Sequence, residues 1–380
     1  MKKKITLVGP VYPYRGGIAY FNTRLSKELF SVGYQAQIIS FLRQYPSWLY
    51  PGKSDKDPSR EHISVEAQYI LDPLHPWTWF ISSQKIREFQ PRFVFFQWWT
   101  SFWGPAFYSL SLLLRYYQIP TGFIIHNVMP HETRFFDRWI AKFVLSQASA
   151  WITLSPQENQ RLHTLLPNIK SYLGSLPLHQ LSQSRMSQSD ARQKLGISEE
   201  EFVILFFGII RPYKGLGLLI EAINLLAKQN IRPYLIIAGE FWENEIYYRK
   251  MIETFQLRNQ IRIDNRFVPN EEAHIYFSAA DLFVAPYLSG TQSGAIKTAM
   301  DYRLPVVASD KIATDLLKDK FPIYVFPSGD SEALANTLKT AINQPRQAHI
   351  NFGADNSWSK LIELLNIVVN DVCGKDNSAT

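Results

Sequence analysis

The sequence predicts an α/β protein with parallel sheets, arranged as two domains. Three observations predict it. Short apolar runs rich in β-branched and aromatic residues, such as Val203–Phe207, alternate with stretches of helical spacing, such as Leu216, Leu219, Ile220, Ile223 and Leu226. A length of 380 residues fits two domains of ordinary size. A Ser- and Gln-rich tract after Pro177, LHQLSQSRMSQSDARQ, is the clearest break in composition and places a boundary there.

In the first half, Ile5–Val8 reads as a strand, followed by the loop GPVYPYRGG. Ile18, Phe21, Leu25 and Leu29 then share a helical face, Gly33 stops that helix, and Gln37–Ser40 is the second strand. Residues 43–62 form a long polar loop; its Asp55-Lys56-Asp57 lies among Lys, Ser and Pro and reads as solvated charge, not as a metal-holding acidic pair at the end of a buried strand. A helix ends at Ile86–Gln90, and RFVFFQWW is a buried strand. Phe102–Tyr117 reads as a core helix, with a membrane-facing helix as the alternative. Phe123–Ile125 and Trp151–Leu154 are strands; a helix opened by Ser155-Pro156 ends before Pro167, and a short strand follows at about Lys170–Leu173.

In the second half a short helix, Ala191–Leu195, precedes strand Val203–Phe207 and helix 216–228. Strand Tyr234–Ala238 ends at Gly239-Glu240, and helix Glu245–Thr254 leads to a strand around Ile261–Ile263. Helix Glu272–Ala279, strand Leu282–Ala285, a helix from about Gly294, strands Val306–Ala308 and Ile323–Phe326, and a helix capped by Ser331 complete the alternation. A last apolar helix runs from Asn356 to about Val372.

Composition bounds the function. Hydrophobic residues at 46% and charged residues at 19% argue against disorder. The single Cys373 permits no disulfide within the chain and favours a reducing compartment. The apolar run after Met1-Lys2-Lys3-Lys4 is too short for a signal peptide, and no run of about 18 uncharged apolar residues marks a spanning helix. A cytoplasmic protein is expected. Residues 1–180 hold 19 Lys+Arg against 10 Asp+Glu, and the remainder holds 21 against 23. That basic half also carries Trp77, Trp79, Trp98, Trp99, Phe102 and Trp103. Cations with aromatics suit an anionic membrane surface or an anionic acceptor; a basic surface over an aromatic core is the other reading. No nucleic-acid motif or dense basic run is present, so nucleic acid is not an expected partner.

Chemistry concentrates at strand ends. Arg211 and Lys214 lie in the loop between a strand's carboxyl end and a helix's amino end, where open α/β sheets bind ligands. Two cations beside unpaired helix N–H groups suit a phosphate or diphosphate; two solvated surface cations are the bland alternative. Gly16-Gly17 makes a second phosphate-type cradle or only a tight turn, and the GxGxxG order of a dinucleotide site is absent. His126 ends a strand at the ligand edge, as a sugar-facing imidazole or as a satisfied structural group. His131 and Glu132 approach an acceptor or cap the next helix. Ser293, Gly294 and Ala295 head a helix whose N–H groups point at the same anion as Arg211 and Lys214, though a surface turn has a similar composition.

The run FGIIRPYKGL, Phe207–Leu216, resembles the signature of the retaining nucleotide-sugar glycosyltransferases of family 4, the glycosyl transferases group 1 set. The resemblance covers nearly the whole chain and implies the GT-B fold: two doubly wound Rossmann-like domains facing across a cleft. Residues 1–180 then form the acceptor-side domain, 181–355 the nucleotide-sugar domain, and 356–380 a helix crossing back to the first domain with a tail. It implies that Arg211 and Lys214 hold the donor diphosphate and that His126 stands beside the transferred sugar. Gly16 and Gly17 face the phosphates, main-chain groups near Val268 meet the base, and Gly208, Gly239, Gln292, Ser293, Gly294 and Thr298 complete the donor site.

One departure stands out. Many members carry two glutamates eight residues apart; here Gly290 and Thr298 occupy those positions, and TQSG resembles a subset of the family. Gln292 offers an amide to a sugar hydroxyl in their place. The implied activity is retaining transfer of a sugar from a nucleotide-diphosphate donor to a glycan or lipid-linked acceptor, without metal or cofactor. It would take place in the cytoplasm or on the inner face of the cytoplasmic membrane, as in envelope or exopolysaccharide assembly. A non-catalytic sugar-nucleotide-binding subunit and a GT-B nucleotide-sugar epimerase are the alternatives.

Overall fold

The computed structural model describes residues 3–46, 48, 50–60, 64–130, 134–177, 185–290, 293–313, 321–344 and 357–374. Among these the chain divides into two compact units, the first built from residues 3–57, 64–177 and 357–374, the second from 58–60 and 185–344. The expected boundary at 180 falls in 178–184, outside the described residues.

The first unit holds a seven-stranded sheet: β1 (Lys4–Val8), β2 (Gln35–Phe41), β3 (Gln68–Leu71), β4 (Phe93–Trp98), β5 (Thr121–Ile125), β6 (Ala150–Thr153) and β7 (Ser171–Leu173). All pairs are parallel, in the order β3-β2-β1-β4-β5-β6-β7. The helices are α1 (Gly17–Ser31), α2 (Pro76–Phe89), α3 (Gly104–Tyr116), α4 (Asp137–Leu145) and α5 (Pro156–Leu165). The order reverses between β1 and β4, so the loops after these strands flank the ligand edge of the sheet.

The aromatic set of this half is mostly core. Trp98 and Trp103 are wholly buried, and Trp79, Trp99 and Phe102 pack against the same cluster. Trp103 stacks on Phe41 at 3.8 Å between ring centroids. Of the six, Trp77 alone is exposed, so this set forms an aromatic core and not a membrane face. The predicted helix over Phe102–Tyr117 is likewise a core helix, α3, with Phe107, Leu110 and Leu114 buried. The Asp55-Lys56-Asp57 loop is more engaged than solvated charge. Its Asp55 carbonyl accepts from the Arg15 N–H (2.9 Å), the Asp57 N–H donates to the Pro13 carbonyl (2.7 Å), and the Lys56 ammonium sits 3.2 Å from the Tyr14 ring centroid.

The second unit holds a six-stranded parallel sheet: β8 (Val203–Phe207), β9 (Tyr234–Ala238), β10 (Ile261–Asp264), β11 (Leu282–Ala285), β12 (Val306–Ser309) and β13 (Ile323–Phe326), in the order β10-β9-β8-β11-β12-β13. Its helices are α6 (Gln188–Leu195), α7 (Leu216–Lys228), α8 (Glu245–Thr254), α9 (Asn270–Ala279), α10 (Gly294–Asp301), α11 (Asp310–Ala313) and α12 (Ser331–Ile342). β8 is central and the order reverses between β8 and β11. A buried ion pair, Arg192–Asp281 at 2.7 Å, ties α6 to the sheet. Asp281 also accepts from the Val203 N–H (2.8 Å) and Arg192 donates to the Glu199 carbonyl (2.6 Å), which satisfies both charges. The cap of α12 is Asp330, one residue before the expected Ser331, because its carboxylate takes the Ala333 N–H at 2.8 Å. Residues 58–60 belong to this unit through Ser59, whose hydroxyl accepts from the Asn270 N–H (2.9 Å).

The last helix, α13 (Ser357–Cys373), returns to the first unit as expected. Trp358, Leu361, Ile362, Leu365, Val368 and Val369 are buried with Ile5, Leu7, Phe21, Leu25, Phe93 and Phe95 on one face of the seven-stranded sheet. Among the described residues no helix is long and apolar enough to cross a membrane.

Candidate functional site

In the second unit the polar groups gather at the reversal of strand order. β8 ends at Phe207 and turns at Gly208, and β9 ends beside it and turns at Gly239. A Cβ on Gly239 would stand 2.0 Å from the Gly208 carbonyl oxygen, so the two main chains meet where no side chain fits. The loops beyond are zipped together: Ile210 N–H donates to Glu240 O (2.9 Å) and Trp242 N–H to Ile210 O (3.0 Å). That pairing carries the Arg211 guanidinium to 5.4 Å from the Trp242 ring centroid. The Trp242 indole N–H donates to the buried Glu240 carboxylate (3.2 Å).

Lys214 is the unusual group. Its side chain is 9% exposed, and its ammonium lies so close over Gly208 that a Cβ there would be 3.0 Å from Nζ. Among the described residues its ammonium has no hydrogen-bond or ion-pair partner; it lies 5.5 Å from the centroid of the Tyr287 ring. Burial lowers its pKa below the usual lysine value, Tyr213 opposes that lowering and the Arg211 charge adds to it. A buried, uncompensated ammonium is costly unless an anion joins it.

Tyr287, after β11, links this lysine to the next helix. Its hydroxyl lies 3.2 Å from Ser293 Oγ, and burial raises its pKa to about 12. Ser293 caps α10, its Oγ accepting from the Ile296 N–H at 3.3 Å. The N–H groups of Gly294 and Ala295 therefore head the helix with no intrahelical carbonyl in reach. The phosphate-type set of Arg211, Lys214, Ser293 and Gly294 is thus gathered at one edge of one sheet, and chemically it suits an anion.

Other predicted donor residues lie differently. Thr298 is buried and donates its hydroxyl to the Gly294 carbonyl (3.0 Å), within its own helix. The Val268 side chain packs in the core; the role implied for it belongs to its main chain. Gln292 falls outside the described residues, as do His131 and Glu132. Among the described residues no group of three or more His, Cys, Asp or Glu side chains is placed to hold a metal ion.

In the first unit, Gly16 and Gly17 open α1, and a Cβ on either would meet no atom within 4 Å. The loop is open on that side. His126 follows β5 and is buried, with its ring edge-on to Phe21 at 4.8 Å. Its Nε2 lies 2.8 Å from Gln97 Oε1. Gln97 Nε2 donates to Asn22 Oδ1 (3.0 Å), and Asn22 Nδ2 donates to the Pro10 carbonyl (3.2 Å). A Cβ on Gly9 would lie 2.6 Å from Gln97 Cγ, so Gly9 leaves the space the amide fills. Burial lowers the His126 pKa to about 3, and the imidazole is neutral at physiological pH. Sequence reasoning missed Gln97, Asn22, Glu240, Trp242 and Tyr287. Gln97 left a trace as the polar residue of an otherwise apolar strand, whereas Asn22 is buried on its helix together with Thr23 and Ser26 and stands out less.

Comparison with known proteins fits this geometry. Residues 187–355 match the family Glycosyl transferases group 1. The chain is 32% identical over 143 residues to the amylovoran biosynthesis glycosyltransferase AmsK of Erwinia amylovora, covering 36% of this chain and 34% of that one. It is 22% identical over 210 residues to the alpha-monoglucosyldiacylglycerol synthase of Acholeplasma laidlawii, covering 50% of this chain and 52% of that one. It thus spans a third to a half of the length of these relatives. Among solved structures, HepE of Anabaena in complex with UDP-glucose superposes with a TM-score of 0.72 over 98% of this chain and 100% of that one, at 18% identity. Residues 187–355 thus resemble the glycosyl transferases group 1 family, and the fold is that of the GT-B glycosyltransferases.

Proposed function

We propose that the protein transfers a sugar from a nucleoside-diphosphate donor to a glycan or lipid-linked acceptor, with retention at the anomeric carbon and without a metal. The observation that carries this reading is the buried Lys214 ammonium, without a partner among the described residues, beside Arg211 at the strand reversal of the second unit. The amylovoran assignment of AmsK and the UDP-glucose bound to HepE support a sugar-nucleotide donor and a polysaccharide setting.

In the proposed reaction the bond between the anomeric carbon and the diphosphate oxygen breaks while the acceptor oxygen bonds to that carbon on the same face. The acceptor proton passes to the departing phosphate oxygen. Negative charge grows on the leaving group, and Arg211, Lys214 and the N–H groups heading α10 oppose it without rearranging. His126 contributes a neutral imidazole, not a charge. The test is a thermal-shift panel of UDP-, GDP- and ADP-sugars, followed by transfer assays on Lys214→Ala. Loss of one such donor is expected at about 10²–10³-fold in rate; full activity would remove the phosphate role.

A second reading has its own observation. Gly290 and Thr298 stand where many relatives of this kind carry glutamates, and the Thr298 hydroxyl is engaged within its helix. A chain that binds a sugar nucleotide and never cleaves it, with or without acceptor, would be a binding subunit.

A further inference from the structure

The first unit carries an exposed ridge that the sugar-transfer reading does not use. Arg134, Arg138 and Lys142 recur every four residues along α4 and the turn before it, and Phe135, Trp139 and Phe143 recur one position later. Helical spacing sets the two rows side by side. All six side chains are exposed, Phe135 by 91%, Trp139 by 79% and Phe143 by 58%. The opposite face of α4 buries Ala141, Val144 and Leu145, so the helix has no spare apolar residues to turn inward. On α3, Tyr108 stacks on Phe143 at 4.5 Å and Leu112 is 39% exposed, which extends the apolar surface.

The charge of the ridge has one sign. Residues 101–149 contain two acids, Glu132 and Asp137. Asp137 is turned inward, accepting from the Ser101 hydroxyl and from the Arg134 N–H (2.6 Å), while Glu132 lies outside the described residues. None of Arg134, Arg138 and Lys142 makes an ion pair among the described residues. An exposed aromatic row is out of place in water. Aromatic rings bordered by cations suit the boundary between headgroups and acyl chains of an anionic bilayer. A second copy of the chain would set like charges against each other.

We propose that this face of α4, with Tyr108 and Leu112 of α3, docks the protein on an anionic lipid surface. The rings enter the headgroup boundary and the cations meet lipid phosphates. This inference is independent of the nucleotide site, and it assigns membrane contact to residues other than the tryptophan cluster read from the sequence.

The test is sedimentation of the full chain with vesicles of phosphatidylcholine alone or mixed with phosphatidylglycerol. Binding to the mixed vesicles, weak binding to the neutral ones and release by salt are expected. Arg138→Glu with Lys142→Glu lowers binding by at least about fivefold per cation, as expected from ~1 kcal/mol for each. Trp139→Ser with Phe143→Ser lowers it on both vesicle types. Melting curves establish that each pair of substitutions leaves the chain folded; should the aromatic pair not fold, the charge pair decides alone. Donor-induced thermal shifts are unchanged in both variants, which separates this inference from the sugar-transfer reading. Equal sedimentation of wild-type and charge-reversed chain would overturn it. So would failure of the wild type to bind phosphatidylglycerol, including the case where the same substitutions instead dissolve a dimer.

Discussion

His126 Nε2 lies 2.8 Å from Gln97 Oε1, and the direction of that bond is set two side chains away. The Pro10 carbonyl only accepts, so Asn22 presents its amide nitrogen to it and its oxygen to Gln97. Gln97 must then offer its own oxygen to His126, which donates from Nε2. The neutral imidazole is thereby held as one tautomer, with the lone pair on Nδ1.

Gln97→Leu is expected to leave the His126 N–H and the Asn22 carbonyl unpaired, at a cost of about 2 kcal/mol or more. Gln97→Glu is the informative partner: a carboxylate beside the ring raises the His126 pKa from its depressed value. Histidine titration by NMR checks it. An unmoved resonance would mean that the ring does not bond to residue 97.

His126 also predicts acid sensitivity. Its pKa is lowered to about 3 by burial, against 6.5 when unfolded. Between these values the unfolded chain binds a proton that the folded chain does not. The stability contribution is therefore present above pH 6.5 and lost as pH falls toward 3, by ~1.4 kcal/mol per pH unit. His126→Gln flattens that part of the stability curve, as denaturant titrations at several pH values would register.

Lys214 acts with the same sign, in a higher pH range. Its pKa is lowered by burial, so folding disfavours the ammonium, and stability rises with pH from the lowered value up to the usual 10.5. Folding therefore carries a cost for keeping this buried group charged. Lys214→Met is expected to raise the melting temperature without ligand, by about 2–4 °C if the relief is ~1 kcal/mol, and to abolish the shift given by a sugar nucleotide. A lower melting temperature with an intact ligand shift would contradict both halves.

The glycines separate fold from ligand. Gly239→Ala brings a Cβ to 2.0 Å of the Gly208 oxygen, so a loss of ~2 kcal/mol or more is expected in chemical denaturation. Gly17→Ala meets nothing within 4 Å and leaves stability nearly unchanged. Any loss of donor affinity in that variant measures how closely a ligand approaches the loop, and calorimetric titration reads it directly.

The alternation of strands and helices was largely legible because runs such as Val203–Phe207 and Leu282–Ala285 are apolar throughout and most helices carry one apolar face, so burial and periodicity agree; the part-exposed strand Gln68–Leu71 was not read. Arg211 and Lys214 were legible for the same reason: a strand end, a loop with cations and a helix start are local in sequence. What escaped was non-local. Tyr287 meets Lys214 only because β11 is the neighbour of β8, and Trp242 meets Arg211 only because the loops after β8 and β9 pair. The tryptophans of the first unit misled because composition reports that aromatics are present but not which way they face. Trp139 and Phe143 sit on a helix too short for its exposed side to be told from its buried one by spacing alone.

The return of α13 to the first unit has a consequence for synthesis. Trp358, Leu361, Leu365 and Val368 cover one face of a sheet whose first strand is made at residue 4. That face stays bare while the whole second unit emerges from the ribosome, so the lobe begun first is completed last. Between those moments the nascent chain presents a strip of uncovered leucine- and phenylalanine-rich surface, the kind of surface that chaperones bind.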